Sequence, residues 1–236
     1  MSDDLAHKDC RVACQEQDSD CGAKNTVQKE GRESDPDRLF ADKKEARREL
    51  KELAQGFAAD YLAKTSQAVC ENILRSEIFS RSQVIFGYLA FVGEISVDRV
   101  LQEALRLGKT VAVPRIISRT EMQAAQLTSM QNLPLDRYSI RTAPEPVNLI
   151  EPAALDLLLV PGTGFTLAGC RMGRGAGYYD RFLPRTEGIT LGVTCDLLVR
   201  DFLPCGPQDC KVSALVTESW LLSCSLEQKC RETVLK

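Results

Sequence analysis

The sequence predicts an α/β fold with a mainly parallel sheet, and three observations lead to this prediction. Segments with strand character alternate with segments of helical periodicity, which is the order that a parallel sheet requires. The strand segments, such as 155–160, are almost continuously apolar, as expected for strands that are covered on both faces. Glycine-rich and polar segments follow directly after several strands, where ligands of such sheets bind.

The first elements are helical. Leu50, Leu53 and Phe57 fall at helical spacing, and Asp37 or Asp42 is available as an N-cap. The remaining predicted elements are, in order, a helix at 64–78, a strand at 84–91, a helix at 97–107 closed by Gly108, a strand at 110–113 that ends at Pro114, strands at 122–127 and 155–160, a helix at 177–182, and strands at 189–194 and 212–216.

Composition divides the chain into three parts. Residues 1–37 are polar and acidic, so they bury too little apolar area to offset the entropy of ordering, and we expect a disordered extension. Residues 38–220 form the predicted domain. Residues 221–236 are expected to be a tail, either a short helix or loose.

Charge and hydropathy exclude several classes of function. The chain has 236 residues, 44% of them hydrophobic, and a net charge of −3. Nucleic acids and membrane surfaces attract strongly basic proteins, so neither is an expected partner. No apolar run approaches the length of a membrane span, and the N-terminus lacks the pattern of a signal peptide. We expect a soluble cytoplasmic protein that is a monomer or a weak dimer.

Ten cysteines and one histidine raise the question of a metal or redox site. The potential zinc ligands are His7, Cys10, Cys14 and Cys21. Their spacing matches no common zinc finger, and reduced cytosolic thiols are the favoured interpretation. Cys205 and Cys210 are speculative candidates for a redox role. Because the histidine lies in the acidic extension, histidine-based acid–base catalysis is not expected in the domain, which favours chemistry driven by positioning and charge neutralisation.

The segment from Pro161 to Asp180 carries the strongest functional signal. Its glycines allow close backbone approach to a ligand, and successive N–H groups together with the start of a helix can hold phosphate oxygens. Arg171 and Arg174 add forked donors, and Asp180 adds an oxygen ligand suited to Mg²⁺. A dinucleotide fingerprint is excluded because Leu167 stands where its third glycine belongs, and no Walker lysine is present. The remaining alternative is a glycine-rich turn with solvated arginines.

Two further groups of residues have both a functional and a structural interpretation. Lys43 and Arg47 lie four apart on the first helix, where they either hold a triphosphate or form a solvated basic face. Lys44 and Arg48 repeat this spacing. Glu94 follows a strand, where it either accepts hydrogen bonds from a substrate ring or caps a surface loop.

The pattern as a whole resembles the 5-formyltetrahydrofolate cyclo-ligase family over residues 43–218. The motifs that carry the resemblance stand in family order: Lys43-x-x-x-Arg47, Tyr88-Leu89 with Glu94, Val113-Pro114-Arg115, the strand at 155–160, Pro161-Gly-x-Gly-Phe165, Gly169-x-Arg171-x-Gly-Arg-Gly-x-Gly-Tyr-Tyr-Asp180, and Asp209 before Val216-Thr217-Glu218.

The resemblance implies an ATP-dependent cyclisation of 5-formyltetrahydrofolate and a three-layer α/β sandwich of the sugar-phosphate isomerase and CoA transferase-like type. It implies ATP and Mg²⁺ as cofactors, a reduced formyl folate as the small-molecule substrate, and Asp180 and Asp209 as metal ligands. Arg174 and Tyr178 are implied at the reaction centre. The implied ATP-binding residues are Lys43, Lys44, Arg47, Arg171, Gly173, Arg174, Gly175, Ala176, Gly177, Tyr178 and Tyr179. The implied folate-binding residues are Leu89, Glu94, Arg174, Gly175, Ala176, Gly177 and Tyr178.

Two departures from the family pattern lie near the implied site. Ala176 stands where many relatives have lysine, which motivates an alternative interpretation as a non-catalytic folate- or nucleotide-binding protein of the same fold. Gln208 precedes Asp209 where many bacterial relatives have histidine. An ATP-using enzyme of the same fold that acts on another formamide or pterin is a third interpretation.

Overall fold

The computed structural model describes residues 36–136 and 140–224. The helices are α1 (Pro36–Gln55), α2 (Ala59–Arg75), α3 (Glu77–Arg81), α4 (Asp98–Arg106) and α5 (Tyr178–Phe182), with short 3-10 helices at Pro152–Ala154, Leu183–Arg185 and Asp196–Leu198. The strands are β1 (Val84–Phe86), β2 (Thr110–Ile116), β3 (Met122–Leu127), β4 (Leu149–Ile150), β5 (Leu157–Pro161), β6 (Gly164–Thr166), β7 (Arg171–Met172), β8 (Ile189–Val193), β9 (Val199–Arg200), β10 (Ala214–Val216) and β11 (Leu221–Ser223).

Eight of these strands form one large sheet in the order β11-β10-β8-β5-β1-β2-β3-β4. The central strands β10, β8, β5, β1 and β2 are parallel to one another, whereas β11, β3 and β4 pair antiparallel at the two sides. Strands β7, β6 and β9 form a small second sheet. The predicted α/β class with a mostly parallel sheet is therefore confirmed, and the carboxyl ends of the parallel strands share one edge.

The central strand β5 shows why the sheet is buried on both faces. Leu157 and Leu159 belong to the core that includes residues of α2 and α4. Leu158 and Val160 belong to a second core on the other face, which contains Phe182 of α5. Full burial of such a side chain stabilises the folded state by about 1.5–3 kcal/mol. The continuous apolar run thus provides side chains for two cores at once.

Two predicted elements end earlier than expected, although the first of them, α2, also begins earlier, at Ala59. The predicted helix at 64–78 ends at Arg75, because the Ser76 backbone is extended and its hydroxyl accepts a hydrogen bond from the Phe79 amide, which starts α3. The predicted strand at 84–91 keeps only its first three residues. At Gly87 a Cβ atom would collide with the Leu101 side chain of α4, so the chain passes close beneath that helix as it leaves the sheet.

Two other predictions, one for β2 and one for the segment after Trp220, are wrong. Strand β2 does not stop at Pro114 but continues to Ile116 beside β3. Pairing with β1 reaches only Ala112, so Pro114 has a strand on one side alone, where a residue without an N–H is tolerated. The segment after Trp220 is neither helical nor loose at first, since β11 pairs antiparallel with β10.

Helix α1, the first described element, starts at Pro36. The predicted acidic extension up to residue 35, its candidate zinc ligands and the final part of the tail from residue 225 lie outside the described residues. Within residues 36–136 and 140–224, no helix combines the length and apolar character that crossing a membrane requires.

Candidate functional site

The carboxyl ends of β1, β2 and β5 open into a cavity of about 960 Å³. One wall comes from α1, another from the segment that joins β7 to α5, and a third from the segments that follow β1 and β2. Among the lining residues are Lys43, Arg47, Leu89, Glu94, Arg171, Gly173, Arg174, Gly175, Ala176, Gly177, Tyr178, Tyr179, Asp180 and Asp209. The structure therefore brings together every residue of the implied site except Lys44, which is exposed on α1 and does not line the cavity.

Residues 173–177, here called the glycine loop, connect β7 to α5. Gly175 has a φ of +101° and Gly177 a φ of +69°, conformations that glycine adopts without the strain that a side chain imposes. Gly177 occupies the N-cap position of α5. These two glycines turn the chain back toward the cavity, so that Tyr178, Tyr179 and Asp180 in the first turn of α5 line it.

Arg171 is the most deeply buried charged side chain of the site, with 4% of the side chain exposed. Its Nη2 donates to Asp180 Oδ1 at 2.8 Å, and its guanidinium lies 5.5 Å from the centre of the Tyr179 ring. Its buried Nε has no hydrogen-bond partner among the described residues. A buried charged donor without a partner is costly, so this nitrogen is suited to an anionic ligand.

Lys43 and Arg47 of α1 face the same cavity. Lys43 Nζ donates to both carboxylate oxygens of Asp209, at 2.5 and 2.7 Å. Asp209 also accepts a hydrogen bond from the Gly206 amide. Arg47 Nε donates to the carbonyl oxygen of Gly173 at 3.0 Å, which attaches α1 to the glycine loop. The basic pair is therefore not a solvated helix face but part of the cavity wall.

Glu94 and Arg174 form a second pair of opposite charges in the cavity. Arg174 donates from Nε and Nη2 to Glu94 Oε1, at 2.9 and 2.6 Å. The other carboxylate oxygen of Glu94 accepts from the Phe91 amide, and the Arg174 guanidinium lies 4.7 Å from the centre of the Phe91 ring. Glu94 is thus held in a fixed direction by its own loop while Arg174, which is more exposed, covers it.

Three tyrosines complete the wall. The Tyr178 hydroxyl donates to the carbonyl oxygen of Ser118 at 2.9 Å. The hydroxyl of Tyr179 is buried without a partner among the described residues, and burial raises its pKa well above the ordinary value. Burial, reinforced by the nearby charge of Glu94, also raises the pKa of Tyr88. Tyr179 and Tyr88 therefore stay protonated at neutral pH, which makes them donors and not general bases.

Asp180 and Asp209 are close to each other, although they are far apart in sequence. Asp180 Oδ1 accepts a hydrogen bond from the amide of Cys210, the residue directly after Asp209. Two carboxylates on one wall suit Mg²⁺, which takes one or two protein carboxylates together with waters and phosphate oxygens. No group of three or more potential metal ligands occurs within residues 36–136 and 140–224. The donor set therefore fits a metal that arrives with a phosphate ligand and does not fit a metal bound by protein alone.

Sequence reasoning missed several residues of the cavity. Phe40, Asp136, Arg141 and Arg181 also line it. Phe40 precedes Lys43 by three residues, so helical spacing was a usable signal. Arg141 pairs with Asp98, a contact between residues 43 apart that no local pattern indicates.

A mostly parallel α/β sheet with a glycine loop and a buried arginine at its carboxyl edge is typical of proteins that bind nucleotide phosphates. Comparison with known proteins identifies the family. The model of the 5-formyltetrahydrofolate cyclo-ligase family matches residues 40–218. The chain therefore belongs to the 5-formyltetrahydrofolate cyclo-ligase family, and the resemblance inferred from the motifs is confirmed.

Individual relatives agree with this assignment. The chain is 36% identical to a probable 5-formyltetrahydrofolate cyclo-ligase of Caenorhabditis elegans over 148 residues, which is 59% of this chain and 71% of the relative. It is 25% identical to 5-formyltetrahydrofolate cyclo-ligase of Mus musculus over 189 residues, which is 75% of this chain and 93% of the relative. The solved structure of Aquifex aeolicus 5,10-methenyltetrahydrofolate synthetase is similar with a TM-score of 0.71 and 27% identity, over 81% of this chain and 95% of the other.

Proposed function

We propose that this protein catalyses the ATP-dependent cyclisation of 5-formyltetrahydrofolate to 5,10-methenyltetrahydrofolate, with release of ADP and phosphate. Family membership supports the reaction. The observation in the structure that carries the proposal is the single cavity in which the buried, partly unpartnered Arg171 and the oriented carboxylate of Glu94 both take part. One is suited to phosphate oxygens and the other to the N–H groups of a pterin ring.

The triphosphate lies, in this proposal, between α1 and the glycine loop. Lys43, Arg47 and Arg171 neutralise its charge, and the glycine loop and the first turn of α5 direct backbone N–H groups at it. Asp180 and Asp209 hold Mg²⁺, which supplies charge neutralisation on the phosphate oxygens when bound. Lys44, which is exposed and outside the cavity, is the implied ATP ligand with the least structural support.

The folate lies on the side of Glu94, where Leu89 and Tyr178 contact it. Glu94 accepts hydrogen bonds from the pterin, so Arg174 must leave the carboxylate when the substrate enters. The released guanidinium then lies beside the formyl group. This exchange is consistent with assigning Arg174 to both the ATP-binding and the folate-binding set. In this proposal Arg174 and Tyr178 lie at the reaction centre.

The chemistry needs positioning more than a nucleophilic side chain. The formyl oxygen attacks the γ-phosphorus, and ADP leaves. N10 of the folate then attacks the activated formyl carbon and loses its proton, and phosphate leaves as the ring closes. Holding the oxygen in line with phosphorus and neutralising the phosphate charge are the two contributions expected from this cavity.

Three finer statements belong to the same proposal. The fold is of the sugar-phosphate isomerase and CoA transferase-like type. The protein acts in the cytoplasm as a monomer or a weak dimer.

The non-catalytic alternative rests on Ala176, but Arg181 Nη2 donates to the Ala176 carbonyl and so holds the loop at this point, which favours the catalytic interpretation.

The test is direct. Purified protein is mixed with ATP, Mg²⁺ and 5-formyltetrahydrofolate, and the near-ultraviolet absorbance of the methenyl product is followed together with ADP release. We expect one ADP per product and no product without ATP. Asp180→Asn should reduce the rate about 100-fold, the order of magnitude for loss of one group that stabilises charge in the transition state. Asp60→Asn, at an exposed residue of α2, is the matched control. Absence of product at high protein concentration would refute the proposal.

A further inference from the structure

Phe40 is an exposed aromatic residue that the site as described leaves without a role. Its exposed fraction is 67%, yet it lines the same cavity as the charged residues of α1. Single exposed apolar side chains are common on protein surfaces and need no explanation by themselves. The position of Phe40 on the helix is what distinguishes it.

Phe40, Lys43 and Arg47 lie on one face of α1, at spacings of three and four residues. A helix rises about 1.5 Å per residue, so this face extends roughly 10 Å along the cavity. Arg47 contacts Gly173 of the glycine loop, and Lys43 contacts Asp209. The face therefore begins with Arg47 at the glycine loop, continues with Lys43 beside Asp209, and ends with the aromatic ring of Phe40 about one helical turn further out.

Gln208 lies near the same end of the cavity. It precedes Asp209, the partner of Lys43, it lines the cavity, and it is exposed. Its side-chain amide makes no hydrogen bond to another residue within 36–136 and 140–224. A glutamine amide offers one acceptor atom and two donors, which matches the neighbouring donor and acceptor on the edge of adenine.

We propose that Phe40 stacks on the base of the nucleotide and that Gln208 contacts the edge of that base, so that this end of the cavity determines which nucleotide is used. The proposal rests on the proposed function, since it extends the triphosphate site along α1. A nucleoside triphosphate has the same order of groups, with charged phosphates at one end and an aromatic base at the other. Removal of an aromatic side chain on which a base stacks weakens binding about 5- to 150-fold.

The experiment separates the base from the phosphates. Wild type, Phe40→Ala, Phe40→Trp and Phe202→Ala are titrated by calorimetry with ATP and with inorganic tripolyphosphate, both in the presence of Mg²⁺. Phe202 is the matched control, because it is 77% exposed and does not line the cavity. Since Phe40 is exposed, its replacement should leave the thermal midpoint of unfolding unchanged, and this is checked for each variant.

We expect Phe40→Ala to weaken ATP binding about tenfold and to leave tripolyphosphate binding within twofold of wild type. Phe40→Trp should restore ATP binding, and Phe202→Ala should match wild type with both ligands. In steady-state assays the KM for ATP should rise in Phe40→Ala, while the KM for the formyl folate and kcat stay unchanged.

The outcomes distinguish this inference from the one on which it rests. If wild type binds neither ATP nor tripolyphosphate, the nucleotide site itself is refuted. If wild type binds both and Phe40→Ala binds ATP equally tightly, only the base-stacking role is refuted. Equal weakening of ATP binding and tripolyphosphate binding in Phe40→Ala would also refute the base-stacking role, because the substitution would then act through a change in the helix and not through contact with the base.

Discussion

The Lys43–Asp209 pair makes the binding of free ATP and of Mg²⁺ compete with a contact already present in the protein. Both carboxylate oxygens of Asp209 accept from Lys43, and the two side chains are 16% and 18% exposed. When free ATP draws Lys43 away from Asp209, a half-buried carboxylate is left beside a polyanion. The perturbation that tests this reasoning is Asp209→Asn, which keeps the shape but removes the charge.

The magnitude follows from the environment of the pair. A hydrogen bond to a charged group contributes about 1.5–3 kcal/mol. Fully exposed ion pairs contribute about 0–1 kcal/mol, so a pair of this partial burial lies near the lower end of the first range, at about 1.5 kcal/mol. Removing the competing carboxylate should therefore strengthen the binding of Mg²⁺-free ATP about tenfold. Binding of ATP with Mg²⁺ should weaken, because one proposed metal ligand is lost.

The assay is calorimetric titration with ATP in a chelator and, separately, with excess Mg²⁺. In wild type the two affinities should differ widely, and in Asp209→Asn they should converge. Asp60→Asn serves as the control, since Asp60 also pairs with a lysine, Lys64, but on an exposed face of α2. If Asp209→Asn binds Mg²⁺-free ATP no better than wild type, the competition inferred from the pair does not exist.

Three further predictions concern the substrate side, the core and a buried thiol. Glu94→Gln should raise the KM for the formyl folate about tenfold or more, because an amide replaces a charged acceptor, while ATP affinity in calorimetry stays unchanged; an unaltered KM would remove Glu94 from substrate binding. Leu159→Ala, at a fully buried position of β5, should lower the free energy of unfolding by about 2–5 kcal/mol in urea titrations, and a loss below about 1 kcal/mol would contradict the packing described. Burial raises the pKa of Cys70 from 9.0 to about 11, so the contribution of this thiol to stability is complete below pH 9 and is lost as pH rises toward 11. Between pH 8 and pH 10 the free energy of unfolding of wild type should therefore fall by about 1 kcal/mol more than that of Cys70→Ala. Equal losses would refute the shift in pKa.

Much of the site could be predicted because its signals are local. Glycines at the positive-φ positions 175 and 177, the arginines beside them and Asp180 all lie within one short segment. The role of α1 was open at the sequence level, since a basic pair on a helix is more often solvated. Only the docking of Arg47 on Gly173, 126 residues away, shows that this pair faces the cavity.

The ends of the strands show the same difference between features that local sequence predicts and features that depend on tertiary contacts. Apolar runs predicted most of the strands. They did not predict that β1 has only three residues or that β2 continues through Pro114, because both features depend on the neighbouring strands in the sheet. Strand β11 has no strong pattern of its own and forms because β10 offers it a free edge. The hairpin of β6 and β7 was hidden in a segment that its composition marks only as a loop.

The sequence by itself determined the class of fold, the glycine loop and the family, because hydrophobic periodicity and backbone freedom act between residues that are near in the chain. The tertiary structure alone decided which charges meet: Lys43 with Asp209, Arg171 with Asp180 and Arg174 with Glu94. Two of these three pairs join residues far apart in sequence, and their formation depends on the strand order of the sheet. That order follows from the packing of both sheet faces as a whole, which no single segment of the chain encodes.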